Sequence, residues 1–292
     1  MRQLLDEFIF YLHTVKKCSD NTTASYKRDL QKMLEYMENR GVTVVEDMTQ
    51  DRLFAYMASL NEEHLSSNTI IRHNSSIKAF FRYLLENGNI TENPAEKLRA
   101  PRAVKNQPRV LSAYEVDNLL SQSFSDDYKG KRDKALLEIM YATGLKASEI
   151  VELKLSNIDM SLNCIRLSED RVVPYGKKAR EALDDYLLHA RQELISDNED
   201  SRDRVFVNYK GEPMSRQGLW KLIKTYADRA GIDKDITPYT LRHSFAVHLL
   251  ETGADTLAVK EMMGYTDEAT LAKYSSKKGL SKDPYEWARI RN

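Results

Sequence analysis

The sequence predicts a mainly α-helical protein, with a four-helix N-terminal domain followed by a mostly helical second domain that carries a small β-sheet. Three observations predict it. Apolar residues recur at helical spacing in four stretches of the first hundred residues. A proline-containing, basic stretch at 93–111 breaks that pattern. Beyond it, helix caps resume and are interrupted by two short β segments within 164–174.

The length of 292 residues accommodates two domains at roughly 100–200 residues each. A hydrophobic fraction of 41% against 30% charged residues is that of a folded globular chain and excludes wholesale disorder. Lys+Arg and Asp+Glu both total 44, so the chain is neutral and any anionic partner must be met by local charge placement. The two cysteines, Cys18 and Cys164, exclude a disulfide framework and a cysteine-rich zinc site, and fit a reducing compartment. No apolar run approaches the ~18 residues of a membrane span. Residues 1–18 place acids and lysines inside an amphipathic pattern. The expectation is a cytoplasmic protein without membrane contact.

Taken in order, the first helix carries Leu4, Phe8 and Leu12. The second carries Tyr26, Leu30, Met33, Leu34 and Met37, and stops at Gly41. Thr49 caps a third helix with Leu53, Met57 and Leu60. A fourth carries Ile70, Ile77, Phe80, Phe81 and Leu84 and ends near Gly88. These make a helical bundle over residues 1–96. Residues 97–111 then form a linker in which Lys97, Arg99, Arg102, Lys105 and Arg109 are basic with no acid among them. Two readings stand for it: a solvated connection, or an extended strap crossing a phosphate backbone.

The second domain, 112–292, opens with the capping box Ser112-Ala-Tyr-Glu115. Helices are predicted at about 131–143 and 147–154, β segments at 164–167 and 171–174 around the turn Ser168-Glu169-Asp170, a long helix at about 177–195, and a short strand at Val205–Val207. Thr237-Pro238 starts a strong helix that Gly253 ends. A short helix stops near Gly264, and another surrounds Tyr274.

On the helix from Pro238, Leu241, Phe245 and Leu249 form an apolar stripe, and Arg242 lies within about 20° of Leu249 at 100° per residue. A guanidinium aimed at a core needs an anion. Two candidates fit: an internal carboxylate such as Glu149, or a phosphate held by the planar, two-pronged donor.

The run Thr237-Pro-Tyr-Thr-Leu-Arg-His-Ser-Phe-Ala-Val-His-Leu-Leu-Glu-Thr-Gly-Ala-Asp255 resembles the second signature box of the tyrosine recombinases, particularly the bacterial Xer type and related phage integrases. Tyr141-Ala-Thr-Gly-Leu-Lys-Ala-Ser-Glu149 resembles the first box. Met263-Gly-Tyr265, with Tyr274 nine positions on, resembles the end of the motif that carries the nucleophile. The resemblance covers nearly the whole chain. It implies an N-terminal SAM-like core-binding domain and a tyrosine-recombinase catalytic domain.

It also implies a chemistry. A tyrosine hydroxyl attacks a DNA phosphodiester, a 3′-phosphotyrosine forms and a 5′-hydroxyl leaves. A second 5′-hydroxyl then reverses the step without metal, ATP or other cofactor. The family supplies two arginines, a hairpin lysine and two positions that are usually His and His or Trp. Matched residue by residue, the second arginine is Arg242 and the nucleophile position is Tyr274. Lys146 stands at the first arginine, and Tyr239 and Tyr265 at the two histidine positions. The hairpin turn holds Ser168-Glu169-Asp170, with no lysine between Lys154 and Lys177.

Arg242, Tyr274, Lys146, Tyr239 and Tyr265 are therefore the candidate catalytic set. Lys97, Arg99, Arg102, Lys105, Arg109 and His243 are candidate DNA contacts. Tyr274 shares a helical face with Leu271, which also fits plain packing. His243 and His248 stand five apart and do not make a helical metal pair. The implied partner is double-stranded DNA, with a second copy or an active recombinase paralogue beside it. Three readings are open: a DNA binder with impaired strand cleavage, a competent recombinase working through Tyr274, or a remnant of a mobile element with no present role.

Overall fold

The computed structural model describes residues 1–101, 109–195, 199–233 and 235–265. The chain forms two compact units, Met1–Asn106 and Gln107–Asn292.

The first unit is a bundle of four helices: α1 (Arg2–Thr14), α2 (Asp20–Glu38), α3 (Gln50–Glu62) and α4 (Ser67–Glu86). Three of the four start on a hydroxyl cap. Ser19 accepts from Thr22 N–H at 3.3 Å, Thr49 from Arg52 N–H at 3.4 Å and Ser66 from Thr69 N–H at 3.2 Å. Phe8, Leu30, Met33, Leu34, Leu53, Ile77, Phe80 and Phe81 fill the core. Leu5 is buried in the first stripe, where Leu4 was expected and only packs at its edge. Ala95 and Leu98 join this core, so the start of the basic stretch is anchored and leaves Lys97 and Arg99 exposed on either side of Leu98.

Within the bundle, Asp29 is buried between Arg72 at 3.0 Å and His73 Nε2 at 3.3 Å, and His73 Nδ1 shares a 3.1 Å hydrogen bond with the Tyr56 hydroxyl. Burial pushes the Asp29 carboxyl up to about 6 and the His73 imidazole down to about 4.

The second unit runs α5 (Ala113–Ser121), α6 (Tyr128–Thr143), α7 (Ala147–Glu152), β1 (Ile158–Asp159), β2 (Cys164–Ser168), β3 (Arg171–Pro174), α8 (Lys177–His189), α9 (Arg191–Leu194), α10 (Glu199–Arg202), α11 (Arg216–Arg229), α12 (Pro238–Glu251) and α13 (Thr256–Met263). The capping box at Ser112 forms as expected. The three strands make an antiparallel sheet in chain order, with Ile165 opposite Val173 and a bulge between Arg166 and Ser168.

Three expectations are corrected, and one helix was not expected. The helix expected over 177–195 breaks at Ala190 because Arg191 turns inward, and its guanidinium donates to the carbonyls of Ser201, Arg202 and Arg204 at 2.6–3.2 Å. Val205–Val207 is fully buried but makes no ladder; the flanking Arg204 bridges Lys154 and Val207 bridges Pro213, each as an isolated pair. Helix α11, unforeseen, is capped by Ser215 and buries Leu219, Ile223 and Tyr226. Helix α12 does not bury a single stripe. Residues 240–246 and 248–250 are all buried, so the helix threads the core.

Candidate active site

Helix α12 enters the core from a reciprocal cap, in which Thr237 and Thr240 exchange backbone-to-side-chain bonds, with Pro238 at the first helical position. One turn in, Arg242 is 3% exposed. Its guanidinium donates one N–H to the Gly144 carbonyl and another to the Met263 carbonyl. Gly144 closes α6 and Met263 ends α13. Both carbonyls are orphan acceptors of helix C-termini, where the helix dipole places partial negative charge. Burial still draws the guanidinium below its ordinary value, opposed by the nearby Tyr265 and Glu149.

The backbone at these two ends is fixed by glycine. Gly144 has φ of 59°, and a Cβ there would lie 2.4 Å from the Phe245 ring. Gly264, which caps α13 with φ of 59°, has the Arg171 guanidinium where a Cβ would stand, 2.9 Å from its Cζ.

Glu149 is the shared carboxylate of the site. It accepts the Lys146 backbone N–H at 2.7 Å, which fixes it at the start of α7. Its Oε1 takes the Arg171 guanidinium at 2.5 Å, and Oε2 meets the same group at 3.4 Å. Lys146 Nζ is 3.8 Å from Oε1, and Arg242 Nη1 is 4.0 Å from Oε2. Burial pushes this carboxyl up, but the Arg171 hydrogen bond, the Lys146 N–H and the two positive charges together hold it below its ordinary value. The Arg242–Glu149 pair weighed from sequence is thus a long, secondary contact. Glu149 belongs first to Arg171.

Tyr265 lies under Arg242, with the guanidinium carbon 4.8 Å from the ring centre. Its hydroxyl is shielded from solvent and makes no hydrogen bond of good geometry among the described residues. Tyr239 is 55% exposed and packs its ring against His243, which is 1% exposed. Burial raises the Tyr239 phenol further above the neutral range. His248 pairs through Nδ1 with the Tyr141 hydroxyl at 2.7 Å and serves the core.

The structure therefore gathers Arg242 and Lys146 around one carboxylate, with Tyr265 against the Arg242 guanidinium and Tyr239 and His243 on the same helix as Arg242. Tyr274, Arg102 and Lys105 lie outside the described residues. Lys97 and Arg99 sit in the first unit and Arg109 in the second, all exposed. The hairpin turn between β2 and β3 carries Glu169 and Asp170, both acidic. Sequence reasoning missed Arg171, the first residue of β3. The available signal was a cation directly after a turn that lacks the expected lysine. No group of three metal-ligating side chains gathers among the described residues, and no helix among them is long and apolar enough to cross a membrane.

Residues 109–279 match the model of the phage integrase family, and residues 5–88 match that of the phage integrase N-terminal SAM-like domain. Tyrosine recombinase XerD of Listeria innocua is 37% identical over 280 residues, 94% of each chain. Tyrosine recombinase XerD of Oceanobacillus iheyensis is 38% identical over 288 residues, 97% of this chain and 96% of its own. Among solved structures, the Tn1549 transposon integrase with circular intermediate DNA superposes with a TM-score of 0.74 at 17% identity, over 94% of this chain and 96% of that one. The XerH site-specific recombinase in its post-cleavage difH complex gives 0.69 at 19% identity, over 92% and 77%. These two share the fold. With both family models and relatives above a third identical along nearly its whole length, the chain belongs to the phage integrase family, among the Xer-type tyrosine recombinases.

Proposed function

We propose that this protein binds duplex DNA at specific sites as a Xer-type recombinase, and that its strand-cleavage step is impaired. The observation that carries the reading is the setting of Arg242. Its buried guanidinium is satisfied on one side by two helix-end carbonyls, while the nearest carboxylate is taken up by Arg171. Two of the five guanidinium donors are thereby used, and a phosphate oxygen fits the remainder.

In the step inferred from the family, the Tyr274 hydroxyl loses its proton and attacks the scissile phosphorus. The tyrosine–phosphorus bond forms, the bond to the 5′-oxygen breaks, and that oxygen takes a proton. Arg242 and Lys146 counter the charge on the non-bridging oxygens. Lys146 does so as a point charge in place of a planar fork. The leaving oxygen lacks the hairpin lysine, and burial, by raising the Tyr239 phenol, makes that group a poor proton donor at neutral pH. Loss of one such donor costs roughly 10²–10³ in rate, which supports the impaired reading.

Exposed Lys97, Arg99 and Arg109, with Arg102 and Lys105, contribute phosphate contacts in this reading. The protein works in the cytoplasm, beside a second copy or an active paralogue on the DNA. A competent recombinase is the second reading, favoured by Arg171, a guanidinium the expected hairpin did not provide.

The test starts from DNA selected by binding to the full chain. A nicked duplex built on that sequence traps any covalent intermediate. Retarded migration with at most a trace of tyrosine-linked adduct supports impairment. Abundant adduct, absent in Tyr274→Phe, supports competence. Absence of any sequence-selected DNA overturns both.

A further inference from the structure

Glu149 stands among three cations, and how it is shared decides what Arg242 can do. Its oxygens lie 2.5 and 3.4 Å from Arg171 but 4.0 Å from Arg242 and 3.8 Å from Lys146. Arg171 is itself fixed. It starts β3, donates Nε–H to the Met262 carbonyl at 2.9 Å, and lies over Gly264, where a Cβ would collide with it. Its side chain is only 15% exposed. A fork held at both ends keeps a carboxylate in one orientation, which a single ammonium does not.

Without Arg171, the only cations near Glu149 among the described residues would be Lys146 and Arg242. A half-buried carboxylate deprived of its partner moves to a remaining charge, because an uncompensated buried charge is costly, and the buried Arg242 is screened less by water than the half-exposed Lys146 ammonium. A shift of about 1 Å would bring Glu149 into full hydrogen-bonded contact with Arg242. The phosphate donor would then become the internal salt bridge that the sequence alone also allowed.

We propose that Arg171 is a positioning residue for Arg242: by occupying Glu149 and the Met262 carbonyl together, it prevents that carboxylate from closing onto Arg242 and so leaves the guanidinium to a DNA phosphate. The inference rests on the phosphate reading given above. It assigns to the first residue of β3 the task of setting charge in a site whose hairpin turn carries no cation. Glu149 is thereby a latent competitor of the substrate, held off by Arg171.

The probe is inorganic phosphate, titrated into the full chain and read on the side-chain Nε–H resonance of Arg242. Arg171→Met keeps the aliphatic stem over Gly264 and removes every donor. It is expected to weaken phosphate binding about tenfold, a coupling of the size found between residues of one ion-pair network. The double variant Arg171→Met with Glu149→Gln removes the competing charge but keeps an acceptor for the Lys146 N–H. It is expected to return to within about threefold of wild type. A plain strut would not be rescued.

Wild-type affinity in Arg171→Met, or a double variant as weak as the single, overturns the proposal. A wild-type chain whose Arg242 does not respond to phosphate overturns it together with the phosphate reading. If Arg171→Met shows no cooperative unfolding transition, Arg171→Lys serves in its place. Lysine holds one oxygen only, so about threefold weakening relieved by Glu149→Gln is expected, and no weakening or no relief is again contrary.

Discussion

The Arg242 guanidinium donates to the carbonyl of Gly144, a residue 98 positions earlier that ends α6 in a left-handed turn. That bond ties α12 to a helix terminus that only glycine closes without strain. Stability and, in the proposed reading, phosphate binding share one joint.

Gly144→Ala tests the joint. The added methyl would stand 2.4 Å from the Phe245 ring and 2.8 Å from Met263 Sδ, at a φ of 59°. A loss of about 3 kcal/mol is expected from positive-φ strain and overpacking together. Denaturant unfolding checks it, and near-wild-type stability would contradict it.

Arg242→Lys separates charge from geometry. An ammonium reaches one of the two carbonyls, at Gly144 or Met263, and leaves the other buried and unpaired. The expected cost is about 1–3 kcal/mol for the stranded acceptor. Unchanged unfolding would show that the bidentate hold contributes nothing.

Acid should loosen the same site. The folded Glu149 carboxyl lies below its ordinary 4.5, so its contribution is present above pH 4.5 and lost as pH falls through the lower folded value. The stability gap between wild type and Glu149→Gln is expected to narrow only below pH 4.5. A gap that narrows as pH rises would have the wrong sign.

The first unit offers a second pH test. Asp29, raised to about 6, makes the folded state hold more protons between its ordinary 3.8 and 6, so its contribution falls with rising pH. His73, lowered to about 4, makes the unfolded state hold more protons between 4 and 6.5, so its contribution rises. The two oppose each other and leave little net slope. Asp29→Asn removes one side, and stability of that variant is expected to climb from pH 4 to 6.5. A flat profile in the variant would contradict the assignment.

DNA binding should depend steeply on salt despite equal totals of 44 acidic and 44 basic residues. Alanine at Lys97, Arg99 or Arg109 is expected to weaken all sequences alike and to lower the log–log salt slope by about 0.9 each. Salt-insensitive association would count against phosphate contacts by these residues.

Much of this was legible in the sequence where one physical signal dominates. The four N-terminal helices each bury a single face, so residues such as Phe8, Leu34 and Phe80 show the helical period. Arg242 stood out as a charge beside an apolar stripe. Helix α12 hid its full burial because Ser244 and His248 are polar yet satisfied inside, Ser244 by the Leu111 N–H at 2.8 Å and His248 by Tyr141. Arg171 left a local signal as a cation after the turn, but its role was not legible because its partners, Glu149 and Met262, lie 22 and 91 residues away. No local pattern encodes a strand residue meeting two helix ends. The break at Ala190 was equally hidden, since it follows from loop carbonyls that receive Arg191.

The most direct measurement replaces one phosphate at a time in the selected duplex by a neutral methylphosphonate and records affinity for the full chain. The expected result is one position per bound protomer where neutralisation costs about tenfold, the size of a charge-assisted contact, with that penalty abolished in Arg242→Gln, which removes the charge. A uniform response across all positions, or a penalty that persists in Arg242→Gln, would contradict the assignment of Arg242 to a DNA phosphate.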